Sequence, residues 1–208
     1  MKFVLIHGAF GNPEDNWFPY LKKHLELLEQ EVIVPQFPVD TWDEVTKGGR
    51  KAKSRYQTLE IWQTTFKKVV LPQIKKEKNL VFVGHSLGPV FTLHIVNKFN
   101  LKLDCAIFIA PFLEKLNESW QIDLVNGSFY KKDFDFEKLK KLIPNSYVIY
   151  SDNDPYVDPK YPLDFAGKMG SNKIMIRGAK HFNSEARFLS FPLVYELCKT
   201  RLDAVDYL

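Results

Sequence analysis

Cysteine is scarce in this sequence, and long apolar runs are missing. The 208 residues include two cysteines, Cys105 and Cys198, in no C-x-x-C or other metal-ligand spacing. Such low usage is typical of free thiols in a reducing compartment and predicts a cytoplasmic location, although the sequence alone leaves a disulfide between them open. No stretch has the length of a membrane-spanning helix, and the apolar run Phe3 to Ile6 is too short for a signal-peptide core.

A strong excess of charge is also missing. The 29 basic and 25 acidic residues leave a formal net charge of +4, which is too weak to indicate a nucleic-acid partner. Hydrophobic residues make up 45% and charged residues 26%, as in an ordinary soluble globular protein. We find no internal repeat or low-complexity segment, and the length predicts a single domain over residues 1–208.

The most informative stretch is Gly84-His85-Ser86-Leu87-Gly88. An apolar run, residues 80–83, precedes it, and a helix-compatible run, residues 89–99, follows it. Strand, sharp turn and helix around G-x-S-x-G are typical of a nucleophile elbow, which exposes the serine hydroxyl above a sheet. The alternative is a glycine-rich turn whose serine has no chemical role.

Strand and helix patterns alternate along the whole chain. Strands are predicted at residues 2–6, 32–34, 80–83, 105–109, 147–150 and 173–176, and helices at 17–30, 59–70, 89–99, 137–143, 163–169 and 193–202. Residues 41–56 are predicted to be a polar connection, and residues 112–132 show no clear period. The alternation predicts an α/β fold: a three-layer α/β/α sandwich around a mostly parallel sheet of about six strands.

Candidate catalytic groups follow predicted strands. Ser86, Asp154 and His181 each come directly after one, as does the loop His7 to Gly11. Because the carboxyl ends of parallel strands share one edge, we expect these groups to lie together. The order serine, aspartate, histidine is that of a triad built on such a sheet.

Each group has a predicted role in acyl transfer. His181 is the predicted base, since an unperturbed imidazole titrates near pH ~6.5, and a purely structural histidine is the alternative. Asp154, just before a proline, is favoured as the carboxylate that orients it, with Asp152 and Asp158 as competitors. Any of these aspartates could instead serve only to form a turn.

Attack on a substrate carbonyl produces an oxyanion, which two backbone N–H donors must stabilise. Leu87, at the start of the elbow helix, is predicted to supply one, and Ala9, in the glycine-containing loop after the first strand, the other. That loop lacks the third glycine and the acidic partner of a dinucleotide-binding fingerprint, so a plain glycine turn is the remaining alternative.

The other histidines are not predicted to take part in catalysis. We expect His7 to brace the oxyanion loop, His24 to lie on the surface and His94 to be a core histidine with satisfied hydrogen bonds. No spacing predicts a metal site.

The basic segment from Lys47 to Arg55 could attract anionic ligands, although a solvated loop is the plainer interpretation. The aromatic residues within 112–132 could line a pocket or pack as a small flap.

These motifs together resemble the α/β-hydrolase superfamily, and within it the compact serine hydrolase family typified by retinoblastoma-binding protein nine. The resemblance rests on His7-Gly8-x-x-Gly11, the elbow, Asp154-Pro155 and His181-Phe182-Asn183. It implies a compact α/β-hydrolase without a cap domain or cofactor, using Ser86, Asp154 and His181.

One position departs from the family pattern. Lys180 stands where a glycine usually precedes the catalytic histidine. A left-handed backbone there would strain a lysine by about 1 kcal/mol.

The predicted function is that of a serine hydrolase acting on small ester, thioester or amide substrates through an acyl-serine intermediate. The predicted partner is a small ester-type substrate, with no nucleic acid and no membrane, and a protein partner is left open. The second hypothesis is a binding module on a hydrolase scaffold with little or no activity.

Overall fold

A computed structural model describes residues 1–202 of the chain. Within them, six parallel strands form one sheet in the order β2-β1-β3-β4-β5-β6. The strands are β1 (Lys2–Ile6), β2 (Glu31–Ile33), β3 (Leu80–His85), β4 (Cys105–Ile109), β5 (Ser146–Ser151) and β6 (Asn172–Ile176). The predicted parallel sheet is thus confirmed, and all six strands point to one edge.

Helices connect the strands. They are α1 (Phe18–Glu26), α2 (Trp42–Gly48), α3 (Leu59–Thr65), α4 (Leu71–Ile74), α5 (Leu87–Phe99), α6 (Trp120–Asn126), α7 (Phe136–Leu142), α8 (Lys160–Met169) and α9 (Pro192–Lys199). A π-helical turn, Phe66–Val70, joins α3 to α4, where a continuous helix was predicted. The predicted last helix ends at Lys199, and residues 203–208 of the predicted domain lie outside the described part.

The alternating side chains of the central strands produce two apolar layers. In β1, Phe3 and Leu5 face a cluster with α1 and α9, whereas Val4 and Ile6 face the cluster with α3, α5, α7 and α8. All four are fully buried. Period-two side-chain direction in strands buried on both faces explains why their sequences are continuously apolar. The three-layer prediction is confirmed.

Two segments that were predicted without regular secondary structure contain helices in the structure. Within residues 41–56 the structure has α2, whose start is fixed by a capping box between Thr41 and Glu44. The spacing T-x-x-E was visible in the sequence and indicated this start. Within 112–132 it has α6, capped by the Ser119 hydroxyl. Both helices are too short to show a clear hydrophobic period, and α2 contacts α6.

No helix within residues 1–202 is long and apolar enough to cross a membrane. The cytoplasmic location stays a prediction.

Candidate active site

Ser86 lies at the sharp turn between β3 and α5. Its backbone has φ 58° and ψ −102°, an unusual conformation for a residue other than glycine. The hydrogen bond from its N–H to the Ile109 carbonyl, 2.8 Å long, holds the turn against β4. The surrounding sheet therefore maintains the strain that is typical of functional turns.

The two glycines of the motif permit the close approach of strand and helix. A Cβ on Gly88 would lie 2.5 Å from the Ile6 carbonyl oxygen, and a Cβ on Gly84 would lie 2.8 Å from the Gly88 carbonyl carbon. Both separations are shorter than any real contact of a Cβ atom. The G-x-S-x-G spacing is thus a steric requirement of this packing.

Asp154 and His181 are in direct contact. The Nδ1 of His181 lies 2.8 Å from Oδ2 of Asp154, and the two side chains are 10% and 2% exposed. The other carboxylate oxygen, Oδ1, accepts hydrogen bonds from the N–H groups of Tyr156 and Val157, at 2.8 and 3.0 Å. The carboxylate is thereby fixed in the orientation that meets the ring.

The two competing aspartates point elsewhere. Asp152 accepts a hydrogen bond from the Gly178 N–H at 2.8 Å, and Asp158 accepts one from the Lys160 N–H at 2.9 Å. Of the three aspartates, therefore, Asp154 is the one bonded to His181.

The loop carrying His181 is strained and held at several points. Lys180 has φ 51°, so the left-handed conformation considered from the sequence is present. Its N–H donates to Asn153 Oδ1 at 2.9 Å. The Trp17 indole donates to the Phe182 carbonyl at 3.0 Å, and His85 Nε2 lies 2.8 Å from the His181 carbonyl oxygen.

His85 is neutral in this environment. Burial, together with the nearby His181 ring, lowers the pKa of His85 to about 3. Since a carbonyl oxygen only accepts hydrogen bonds, the proton of neutral His85 resides on Nε2. In the G-x-S-x-G motif this residue occupies a variable position, so the motif itself carries no signal for its role.

The predicted oxyanion donors lie near Ser86. Ala9 lines the same cavity as Ser86, and Leu87 is the first residue of α5. Within residues 1–202 neither backbone N–H donates a hydrogen bond to the chain. Both N–H groups are thus left without a partner among the described residues, which for Leu87 is common at a helix start. Their role as oxyanion donors stays a prediction.

His7 braces the loop that carries Ala9. Its Nδ1 lies 2.8 Å from the Gly8 carbonyl oxygen, and its Nε2 accepts a hydrogen bond from the Phe37 N–H at 3.1 Å. Burial lowers the pKa of His7 to about 4, so the ring is neutral. The predicted structural role of His7 agrees with these contacts.

Gln57, which sequence analysis missed, links this loop to α6. Its Oε1 accepts from the Phe10 N–H at 3.0 Å, and its Nε2 donates to Asn126 Oδ1 at 3.1 Å. Its own N–H donates to the buried Asp40 carboxylate at 3.0 Å. Burial acts to raise the pKa of Asp40, but hydrogen bonds from Ser54 and three backbone N–H groups outweigh it and lower the pKa.

These groups surround one cavity of about 450 Å³ at the carboxyl edge of the sheet. Its lining is Ala9, Phe10, Trp42, Ser86, Leu116, Ile122, Tyr156, His181, Asn183 and Glu185. The hydroxyl of Ser86 and the ring of His181 face this shared space, with no hydrogen bond between them in the described chain. Such bonds are often long without substrate and tighten when it binds.

The remaining predicted residues lie outside this cavity. His94 is half-buried and not a core residue as predicted, although its Nε2 pairs with the Phe129 carbonyl oxygen at 2.8 Å, and His24 is partly exposed beside Tyr20. Arg50 lies in a neighbouring groove, with its guanidinium 5.9 Å from the Trp120 ring centroid. A role of the basic segment in attracting anions stays a prediction.

The aromatic and apolar residues of 112–132 divide between two positions. Phe112 and Phe129 are fully buried in the core, whereas Leu116 and Ile122 line the cavity. The segment therefore contributes two aliphatic residues to the cavity wall, whereas none of its aromatic residues lines this cavity. Among the described residues, no group of three or more His, Cys, Asp and Glu side chains could hold a metal ion.

The sheet, the elbow and the placement of the histidine loop define the α/β-hydrolase superfamily. A sequence model described as "Serine hydrolase" matches residues 3–200, and the chain belongs to that family. The closer resemblance to the family typified by retinoblastoma-binding protein nine stays a prediction.

Known proteins similar to this chain share its overall fold. YdeN of Bacillus subtilis (strain 168) is 23% identical over 197 residues, covering 93% of this chain and 92% of YdeN. The crystal structure of the ydeN gene product superposes with a TM-score of 0.78 at 23% identity, covering 96% of this chain and 97% of that one. Est1E from Butyrivibrio proteoclasticus, with ferulic acid bound, has a TM-score of 0.64 at 16% identity, covering 96% and 86%.

Proposed function

We propose that this serine hydrolase cleaves esters of small molecules through an acyl-enzyme on Ser86. The observation that carries the proposal is the fixed His181–Asp154 pair, 2.8 Å between Nδ1 and Oδ2, facing the same cavity as the strained elbow serine. A buried carboxylate on one ring nitrogen leaves the other nitrogen free to take the hydroxyl proton.

The first half-reaction forms the acyl-enzyme. The Ser86 Oγ attacks the ester carbonyl carbon while His181 Nε2 accepts the hydroxyl proton. The carbonyl oxygen becomes an oxyanion, which the N–H groups of Ala9 and Leu87 stabilise. The C–O bond then breaks, and the leaving alkoxide takes the proton from His181.

The second half-reaction regenerates the enzyme. His181 removes a proton from water, the hydroxide attacks the acyl carbon, and the acid leaves as Ser86 Oγ regains its proton from His181. Asp154 keeps the ring oriented and stabilises its charged form throughout. None of these steps uses a cofactor.

Among ester, thioester and amide substrates, we propose esters. The structure of Est1E, a protein of the same architecture, holds ferulic acid, a carboxylic acid, which is the class of product that ester hydrolysis releases. We propose a small-molecule substrate, with no nucleic-acid or membrane partner.

The test is an acyl-chain-length series of chromogenic esters run on wild type and Ser86→Ala. We expect Ser86→Ala to lower turnover by ~10⁴-fold or more. A fluorophosphonate probe should label wild type at Ser86 alone. Folded wild-type protein that is neither labelled nor active would contradict the proposal and favour the binding module.

A further inference from the structure

The cavity lining has an apolar part and a polar part, which follow different strands of the sheet. Residues following β1, β2 and β4 supply apolar groups, namely Ala9, Phe10, Trp42, Leu116 and Ile122. Residues following β5 and β6 supply Tyr156, His181, Asn183 and Glu185. Since β3 with Ser86 lies between β1 and β4, apolar groups flank Ser86 on both sides, and the polar groups lie beyond β4, around the His181 ring.

Glu185 is the one carboxylate among the residues that line this cavity. Its Oε2 accepts hydrogen bonds from the Tyr156 hydroxyl at 2.9 Å and from Asn183 Nδ2 at 3.3 Å. No lysine or arginine in the described part of the chain forms an ion pair with it. Two neutral donors thus orient the carboxylate of this exposed residue, and no described lysine or arginine pairs with it.

The reaction determines which part of the substrate lies near Glu185. The leaving oxygen must receive its proton from His181, so the leaving alcohol departs on the side of that ring. Tyr156 contacts the same ring edge-on, with centroids 5.1 Å apart, and its hydroxyl reaches Glu185. The leaving group therefore meets an aromatic ring and a carboxylate.

We propose that the preferred substrates are esters of apolar acids with alcohols that carry a positively charged nitrogen. An aromatic face and an unpaired carboxylate together attract a cation. The apolar wall of Phe10, Leu116 and Ile122 suits the hydrocarbon of the acyl group. This inference rests on the proposed ester hydrolysis, and it adds the substrate class.

The test compares butyrylcholine with 3,3-dimethylbutyl butyrate, which has the same shape without the charge. In wild type we expect kcat/KM for the choline ester to exceed that for the neutral ester by roughly tenfold. The ratio should fall in Glu185→Gln towards one, whatever happens to the absolute rates, and it should fall with added salt in wild type. Glu60→Gln, an exposed charge change on α3, is the matched control and should keep the wild-type ratio.

Binding of the same two esters to Ser86→Ala, measured by calorimetry, separates this inference from the proposed function. Tighter binding of the choline ester, lost on adding Glu185→Gln, supports the subsite even if wild type hydrolyses neither ester. Equal rates and equal affinities for the two esters, or a ratio that Glu185→Gln leaves unchanged, would overturn the inference while Ser86-dependent hydrolysis stands.

Discussion

His85 Nε2 lies 2.8 Å from the carbonyl oxygen of His181, and the two rings are 4.9 Å apart between centroids. The residue beside the elbow serine thus holds the backbone of the proposed base. Because His85 is buried and neutral, it can donate this hydrogen bond without adding a second positive charge beside His181.

Removing this hydrogen bond should impair turnover. In His85→Leu the His181 carbonyl loses its buried donor and the ring shifts, so we expect kcat to fall roughly 10–100-fold with a smaller change in KM. His85→Gln keeps an N–H donor and should recover much of the loss. Steady-state kinetics on the chromogenic esters measure both variants. If His85→Leu kept the wild-type kcat, His85 would have only a packing role.

Stability should depend on pH through the two buried histidines. The pKa values of His7 and His85 are lowered to about 4 and about 3, below the ordinary value of 6.5. Between these values and pH 6.5 the unfolded chain binds more protons than the folded chain, so stability decreases as pH falls. At pH 5 each histidine should cost about 2 kcal/mol relative to pH 7.5.

Urea unfolding at pH 5 and pH 7.5 measures this effect. The pH-dependent loss should shrink by about half in His85→Gln, because that variant retains only His7 of the pair. A midpoint that is the same at both pH values would contradict the buried, neutral state of these rings.

Asp154 can be distinguished from its neighbour by matched amide variants. Asp154→Asn should lower kcat by about 10⁴-fold, since an amide offers the His181 ring an N–H in place of a full acceptor and favours the wrong tautomer. Asp152→Asn keeps an oxygen for the Gly178 N–H and should retain activity within about threefold. Ester kinetics and circular dichroism of both proteins are the measurements. A similar loss of kcat in the two variants would contradict the role of Asp154 as the carboxylate that orients His181.

Much of this arrangement was predictable because it depends on local patterns. The apolar strands are buried on both faces, so their sequences show continuous runs, and the glycines at 84 and 88 mark a close approach that no other residue allows. The positions after strands then follow from the parallel topology, which places Ser86, Asp154 and His181 at one edge.

The rest depends on contacts between distant segments. Gln57 lies 47 residues from Phe10, and His85 lies 96 residues from His181. No period or spacing in a single sequence records such pairs, since each residue alone is compatible with many environments. Helix α2 is a different case, because its capping box was present in the sequence but its seven residues bury little apolar surface.

The left-handed backbone at Lys180 predicts a stabilising substitution. Lys180→Gly should raise the free energy of unfolding by roughly 0.5–1 kcal/mol, because relief of the strain at φ 51° exceeds the extra entropy that glycine gives the unfolded chain. The N–H that bonds Asn153 is retained in this variant. Urea unfolding tests the expectation, with Lys173→Gly in the extended strand β6 as the destabilising control. A loss of stability in Lys180→Gly would contradict the assigned strain.

The hydrogen bond from the Phe10 N–H to Gln57 Oε1 predicts that loss of Gln57 and loss of its partner Asn126, in α6, have different effects on turnover. Gln57→Leu leaves that N–H without its buried acceptor, so we expect the free energy of unfolding to fall by about 1–3 kcal/mol. Because the neighbouring Ala9 N–H then no longer points at the oxyanion, we also expect kcat to fall about tenfold. Asn126→Leu removes only the other end of the link, so it should lose stability while kcat stays within about threefold. Urea unfolding and ester kinetics on both variants measure the two effects. Equal kcat in both would mean that Gln57 supports the fold without positioning the oxyanion donors.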